Sequence, residues 1–125
     1  VFGAIQYKGD GVFIAGGAGV TPFISIFRYL QSTGKTGNNK LIFANKTKAD
    51  IILEQEFRNQ LGKNFINILS EEKAEGYEHG MISEDFIQAN SGGTDQLFYI
   101  CGPKPMMEAV EKQLESKNIK KEAII

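Results

Sequence analysis

The sequence predicts an α/β fold in which a five-stranded parallel sheet lies between two layers of helices, a three-layer α/β/α arrangement. Two observations support this prediction. Short apolar runs alternate along the chain with segments of helical periodicity, and strands joined through helices favour a parallel sheet covered on both faces. Two of the apolar runs also lead directly into glycine-rich turns that precede helices. Both turns should therefore lie at the carboxyl edge of the sheet, where open α/β folds bind ligands.

The strands are predicted from short apolar runs bounded by turn residues. These runs are residues 12–15, 41–44, 65–69, 97–100 and 123–125. A polar loop at residues 70–80 follows the third strand. The first nine residues are expected to form either an extra strand or a connection to another domain, and residues 1–125 are expected to form one domain.

Four helices are predicted between the strands. Thr21 has the residue type of an N-cap and Pro22 suits the first helical position, so a helix should extend from there to residue 33. Thr47 and Asp50 have the spacing of a capping box, which predicts the start of a second helix. Its apolar stripe would consist of Ile51, Ile52, Phe57 and Leu61. The other two helices are predicted at about residues 83–89 and 105–116.

Composition excludes several classes of function. The net charge is −1, with 14 Lys and Arg against 15 Asp and Glu, so no basic surface for nucleic acid is expected. Cys101 is the only cysteine and His79 the only histidine, which leaves no internal disulfide and no metal site built on these residues. No apolar run approaches the roughly 20 residues of a membrane span. A cytoplasmic location is the resulting expectation.

The first glycine turn has features of a phosphate-binding loop. In the sequence Gly-Gly-Ala-Gly-Val-Thr-Pro at residues 16–22, Gly17 and Gly19 would let the backbone approach a pyrophosphate at a helix N-terminus. The common dinucleotide fingerprint has a third glycine and an acidic residue after the second strand. This chain has Pro22 where the third glycine would stand, and Asn45-Lys46 where the acidic residue would stand. The motif alone therefore leaves open a tight turn that binds no ligand.

Two turns together carry a resemblance to a known family. The sequence Gly-Gly-Ala-Gly-Val-Thr-Pro, followed about 80 positions later by Cys-Gly-Pro-Lys-Pro-Met at residues 101–106, resembles the nicotinamide-nucleotide domain of the ferredoxin–NADP reductase family. The stretch Phe-Ala-Asn-Lys-Thr at residues 43–47, with Asp50-Ile51, is similar to the cytochrome b5 reductase and flavodoxin reductase branches. Gly80-Met81-Ile82 also fits the family's pattern before its next helix.

This resemblance implies roles for particular residues. Cys101 would lie beside the nicotinamide carbon from which hydride leaves and would orient the ring without forming a covalent bond. A small buried side chain that ends a core strand is the alternative for this cysteine. The residues implied to bind the cofactor are Gly16, Gly17, Ala18, Gly19, Val20, Thr21, Pro22, Asn45, Lys46, Ser70, Glu71, Gly102, Pro103, Lys104 and Met106.

Cofactor preference is expected to depend on the end of the third strand. Relatives specific for NADPH carry Ser-Arg there, whereas this chain has Ser70-Glu71. A carboxylate can accept hydrogen bonds from ribose hydroxyls and would repel a 2′-phosphate, so NADH is favoured over NADPH. A solvated acidic loop is the alternative for Glu71, and Lys46 or Lys73 could instead reach a 2′-phosphate.

The resemblance also implies what the rest of the enzyme would supply. The family binds its flavin, FAD or FMN, in a separate β-barrel domain, whose Arg-x-Tyr-Ser/Thr motif does not occur in this chain. The expected function is the NAD(P)H-binding half of a flavin-dependent oxidoreductase that passes electrons to a ferredoxin, flavodoxin, cytochrome or oxygenase. The alternative is a non-catalytic nucleotide-binding module of a larger electron-transfer complex.

Overall fold

The computed structural model describes residues 7–35, 37, 39–91 and 97–116 of the chain. The strands are β1 (Gly11–Gly16), β2 (Lys40–Asn45), β3 (Phe65–Leu69), β4 (Glu78–His79) and β5 (Leu97–Cys101). The helices are α1 (Thr21–Ser32), α2 (Glu54–Leu61), α3 (Glu84–Ser91) and α4 (Lys104–Ser116). The predicted α/β fold class is confirmed.

The five strands form one sheet in the order β4-β3-β2-β1-β5, and every neighbouring pair is parallel. After β1 the chain builds outward through β2, β3 and β4, and it then returns to the other side of β1 to form β5. The order of the strands therefore reverses between β1 and β5. Such a reversal point is where open α/β sheets bind their ligands, outside the carboxyl ends of the strands.

The fifth strand of this sheet is not the one that the sequence predicted. Residues 78–79, predicted as part of a loop, form the edge strand β4, in which Glu78 and His79 pair with Ile68 and Leu69. Two exposed polar residues have no apolar pattern that would predict a strand. Their pairing depends on the edge of β3, which the tertiary structure places beside them. The strand predicted at 123–125 and the first six residues lie outside the described residues.

Hydrophobic side chains cover both faces of the sheet. On one face, Phe13, Phe43 and Tyr99 pack with the buried sides of α1 and α2, including Phe27 and Phe57. The opposite face forms a second cluster with α3 and α4, in which the strand and helix residues are Val12, Ile14, Ile42, Ile68, Phe98, Ile100, Ile87, Val110 and Leu114. The two clusters give the predicted three layers, and they hold the strand ends in fixed positions.

The start of α1 differs from the prediction. Thr21 is the first helical residue and does not cap the helix, because its hydroxyl donates a hydrogen bond to the Ala18 carbonyl oxygen at 2.8 Å. A single turn of 3-10 helix at Gly17–Val20 precedes α1, so the chain is already coiled where an extended N-cap residue was expected. Pro22 lies in the first turn of the helix, but as its second residue and not at the predicted first position.

The second helix is shorter than predicted. The capping box of Thr47 and Asp50 is present, but it opens only a 3-10 turn at Lys48–Asp50. Leu53 then adopts a left-handed φ of 53° before α2 begins at Glu54. Phe57 and Leu61 are buried, as the apolar stripe requires, whereas Ile51 and Ile52 precede the helix. Ile52 therefore lies outside the core, and it is 43% exposed.

Candidate functional site

A cleft of about 690 Å³ lies at the carboxyl edge of the sheet. Its volume is in the range of roughly 300–1,000 Å³ that is typical of ligand-binding clefts. The residues that line it come from the end of β1 and the turn after it, the ends of β2 and β3, the segment before α2, the segment after β4, and the first half of α4 with the residue before it. They are Gly16, Gly17, Ala18, Ala44, Asn45, Lys46, Asp50, Ile52, Ile68, Ser70, Gly80, Met81, Ile82, Pro103, Pro105, Met106, Ala109 and Val110.

The two glycine turns meet at one end of this cleft. A Cβ atom placed on Gly19 would stand 2.5 Å from the carbonyl oxygen of Cys101 and 2.5 Å from the Cα of Gly102. Gly102 is also constrained, because its Cβ would lie 2.6 Å from the Met106 Cε and 3.1 Å from the backbone nitrogen of Gly16. Only residues without a side chain allow the two backbones to approach this closely. Turns that are separated by most of the sequence therefore form one contiguous surface.

Gly17 leaves the surface of the first turn open. Its φ is +53°, a conformation that favours glycine, and nothing lies within 4 Å of the position that a Cβ would occupy. The first backbone N–H groups of a helix lack intrahelical partners and carry partial positive charge. No acidic residue is present in the 3-10 turn at Gly17–Val20 or in the first turn of α1 to compensate that charge. The turn is therefore suited to an anion.

Cys101 ends β5 immediately beside this contact. Its side chain is partly buried, and burial raises the pKa of the thiol above its ordinary value. The thiol is therefore protonated at neutral pH, and it is a weak nucleophile in that form. The backbone after Cys101 turns directly into α4, where the Met107 amide donates a hydrogen bond to the Pro103 carbonyl at 3.0 Å. This geometry supports a thiol that occupies a defined position without reacting.

The ends of β2 and β3 form the opposite wall of the cleft. The amide of Ser70 donates to the Asn45 carbonyl at 3.0 Å, and that of Glu71 donates to the Lys46 carbonyl at 2.9 Å. Asn45, Lys46 and Ser70 line the cleft. Glu71 is exposed and does not line it. Of the residues at these two strand ends that line the cleft, Lys46 is the charged one.

The acidic loop, residues 70–77, is tied to the segment before α2. The Glu72 carboxylate accepts a hydrogen bond from the Lys48 amide at 2.7 Å and so connects the loop to the segment before α2. Tyr77 donates a hydrogen bond to Glu54, which also accepts one from Arg58 at 2.8 Å. These two hydrogen bonds lower the pKa of the Glu54 carboxyl, against the opposing effect of burial. The wall that contains Ser70 is consequently held by interactions outside the cleft.

The predicted site residues fall into two groups. Eight of them line the cleft, namely Gly16, Gly17, Ala18, Asn45, Lys46, Ser70, Pro103 and Met106. The others lie next to it or behind it, and Val20 is fully buried in the core. This second group consists of Gly19, Val20, Thr21, Pro22, Glu71, Cys101, Gly102 and Lys104.

Sequence reasoning did not assign several cleft residues to the site. Ile52 was placed on a helical stripe and Asp50 in a capping box, and both of these patterns are explained without a ligand. Met81 is 77% exposed, and exposure of so large an apolar side chain is a signal that only the structure provides. These residues extend the cleft from the glycine turns toward β4.

Two other features are absent from the described part of the chain. No helix there is long and apolar enough to cross a membrane. Nor do three or more His, Cys, Asp or Glu side chains come together there in a group that could hold a metal ion.

Comparisons with known proteins agree with this architecture. Residues 13–112 match the model of the oxidoreductase NAD-binding domain family. The chain is 33% identical over 126 residues to NADH-cytochrome b5 reductase 1 of Ajellomyces capsulatus, covering 90% of this chain and 40% of that protein. It is 31% identical over 125 residues to the reductase component of propane 2-monooxygenase of Mycolicibacterium goodii, covering 90% and 35%.

A solved structure gives the same result. The cytochrome b5 reductase domain of Ulva prolifera nitrate reductase matches with a TM-score of 0.71 at 25% identity, covering 88% of this chain and 45% of that one. The chain thus spans less than half the length of these relatives. Since the family model covers most of the sequence, the chain belongs to the family of oxidoreductase NAD-binding domains that is found in ferredoxin–NADP reductase-like flavoenzymes.

Proposed function

We propose that this chain binds NAD(P)H, with NADH preferred, as one half of a flavin-dependent oxidoreductase. In this proposal hydride passes to FAD or FMN held by a separate domain, and electrons then reach an acceptor protein. Membership of the NAD-binding family supports the first step. The printed names of two relatives, a cytochrome b5 reductase and a monooxygenase reductase component, support the second.

The observation that carries the proposal is the contact between the two glycine turns at the point where the strand order reverses. One turn offers a helix N-terminus and the open face of Gly17, which fit a pyrophosphate. The other turn places Cys101 and Pro103 beside it, at the end of the neighbouring strand. A dinucleotide has its phosphates in the middle and a base at each end. A cleft that continues from these turns to Met81 matches that shape.

The residues of this chain would contribute binding and orientation. When bound, the nicotinamide would supply the hydride that a flavin accepts. Gly16, Gly17 and Ala18 would hold the phosphates through backbone N–H groups, and Thr21 would keep the turn in shape through its hydrogen bond to Ala18. Cys101 would limit the positions open to the ring, because a protonated, partly buried thiol fills space and forms no covalent bond. The expected gain in rate comes from orientation.

The chain alone should bind NADH and should be inactive as a reductase. We expect isothermal titration calorimetry to detect NADH binding to the purified chain, while the protein stays colourless and does not reduce dye acceptors. Hydride transfer needs a flavin in contact with the nicotinamide, and the proposal assigns that flavin to a separate domain. Stoichiometric yellow flavin in the purified chain would contradict the proposed division of roles. Failure to bind NADH would contradict the proposal as a whole.

Glu71→Arg should reduce the preference of the parent enzyme for NADH. If the Glu71 carboxylate faces the adenosine ribose, it disfavours a 2′-phosphate, and arginine would attract one. We expect the ratio of kcat/KM for NADH to that for NADPH to fall by up to about five-fold, which corresponds to an exposed charge interaction of about 1 kcal/mol. The fall should be smaller at high salt, because screening weakens interactions between exposed charges.

Glu75→Arg is the matched control for this experiment. Glu75 is an exposed acidic residue of the same loop, so its replacement makes the same change in net charge. The ratio should barely move in that variant. An unchanged ratio in Glu71→Arg would exclude Glu71 as the residue that selects NADH. Lys46, which lines the cleft, would then be the next residue to replace.

A further inference from the structure

Tyr77 joins two parts of the chain behind the wall of the cleft. Its hydroxyl donates a hydrogen bond to the Glu54 carboxylate. The Arg58 guanidinium donates to the same carboxylate at 2.8 Å and to the Tyr77 hydroxyl oxygen at 3.3 Å. The ring centre lies 5.3 Å from Lys48 Nζ and 5.7 Å from the guanidinium carbon of Arg58, distances at which a cation attracts an aromatic ring. These four residues form the Tyr77 cluster.

The Tyr77 cluster connects the two segments that form the part of the cleft nearer to β4. The first segment, between β2 and α2, carries Lys48 and leads into Glu54, whereas the second, between β3 and α3, carries Tyr77. Both segments contribute lining residues, namely Lys46, Asp50 and Ile52 from the first and Ser70, Gly80, Met81 and Ile82 from the second. No residue of the cluster lines the cleft itself. The cluster therefore fixes the separation of two cleft walls from outside the cleft.

The end of the first segment depends on such a fixed point, because its backbone is strained. Leu53 has a φ of 53°, the only positive φ of a residue other than glycine in the described part of the chain. A left-handed leucine is unfavourable and persists only where the surrounding structure holds it. Leu53 itself is 38% exposed, but the next residue, Glu54, is held by Tyr77. Glu72 holds the start of the segment, so Ile52 lies between two fixed points.

We propose that Tyr77 is a positioning residue, whose hydrogen bond to Glu54 keeps the segment of Ile52 at the separation from the opposite segment that the ADP half of the nucleotide requires. This inference rests on the proposed function, in which the nicotinamide lies beside Cys101 and the ADP half extends toward β4. Tyr77 contacts no ligand in this assignment and acts through Glu54. The two glycine turns do not depend on the Tyr77 cluster, because contacts between their own backbones hold them together.

Tyr77→Phe removes the hydroxyl and keeps the ring with its contacts to Lys48 and Arg58. We expect the affinity for NADH and for ADP-ribose to fall by about 3-fold to 30-fold, the size typical of a substitution that acts on a ligand without contacting it. Reduced nicotinamide mononucleotide lacks the AMP moiety, and its affinity should be unchanged. In the parent enzyme the KM for NADH should rise, while the rate of flavin reduction at saturating NADH should stay the same, because the glycine turns are intact.

Tyr99→Phe is the matched control, since it removes a tyrosine hydroxyl that serves only the fold. The Tyr99 hydroxyl donates to the Gly9 carbonyl at 2.8 Å and accepts a hydrogen bond from the Lys8 amide at 2.9 Å. Its loss should lower the Tm and leave the affinity for ADP-ribose unaltered. Glu54→Ala is a second variant that breaks the same link as Tyr77→Phe and should also weaken ADP-ribose binding. The double variant should bind no more weakly than Glu54→Ala, because both changes act through one hydrogen bond.

The measurements are thermal unfolding of the nucleotide-free chain and calorimetric titration with NADH, ADP-ribose and reduced nicotinamide mononucleotide. A lower Tm for Tyr77→Phe with unchanged affinity for ADP-ribose would show that Tyr77 only stabilises the fold and would overturn the inference. An equal loss of affinity for the mononucleotide, or additive losses in the double variant, would also overturn it. Wild-type chain that bound neither NADH nor ADP-ribose would instead overturn the proposed function, and this assignment with it.

Discussion

Gly19→Ala should push the two glycine turns apart and sharply weaken nicotinamide nucleotide binding. The new Cβ would stand 2.5 Å from the Cys101 carbonyl oxygen and from the Gly102 Cα. Both are backbone atoms, so the clash cannot be relieved by rotating a side chain. We expect a loss of about 1–3 kcal/mol in the free energy of unfolding, which is typical of overpacking. The affinity for NADH should fall by about tenfold or more, because the phosphate-binding turn shifts with the clash.

Chemical denaturation and calorimetric titration of the chain would measure both effects. Gly34→Ala is a suitable control, since Gly34 has a φ of +70° with open space around the missing Cβ. It should cost about 1 kcal/mol through backbone strain alone and leave NADH binding intact. Normal stability and normal affinity in Gly19→Ala would show that the two turns are farther apart than the structure places them.

Cys101→Ser in the parent enzyme should slow flavin reduction by roughly one to three orders of magnitude. Loss of a group that orients a reactant has effects of this size, because small displacements from the reactive geometry are costly. NADH affinity should change little, since the phosphates and the ADP half would provide most of the binding. Stopped-flow measurement of flavin bleaching, at saturating NADH, separates the rate from the affinity.

The pH dependence of this step provides an independent check. Burial raises the pKa of the Cys101 thiol, so the protonated form is retained through the neutral range. The rate of flavin reduction should therefore show no rise with pH that depends on Cys101. A rise that disappears in Cys101→Ser would indicate a reactive thiolate. An unchanged rate in the variant would mean that Cys101 only fills space in the core.

The sequence by itself determined where the main strands lie and which face of α1 meets the core. The runs at 12–15, 41–44, 65–69 and 97–100 all fall within β1, β2, β3 and β5. The helical spacing of Phe23, Ile26, Phe27 and Leu30 predicts core positions, and all of them are buried except Ile26, which is half-buried against the same cluster. It also identified the two glycine turns and, through their resemblance, the family. These features are local. The periodicity of apolar residues indicates which positions are buried, and glycine and proline indicate turns. Both signals depend only on residues a few positions apart.

Only the tertiary structure decided how these features combine. Local sequence patterns do not specify the order of the strands in the sheet. That order makes β1 and β5 neighbours and brings Gly19 into contact with Cys101. The end of β2 is a similar case. The family resemblance assigned Asn45 to the cofactor site, but only the structure shows that its Nδ2 atom is buried without a hydrogen-bond partner among the described residues. The burial of a side chain and its hydrogen-bond partners depend on residues that are distant in the chain. The capping box of Thr47 and Asp50 is a local pattern and could be recognised in the sequence. The length of the helix after it depends on packing and could not.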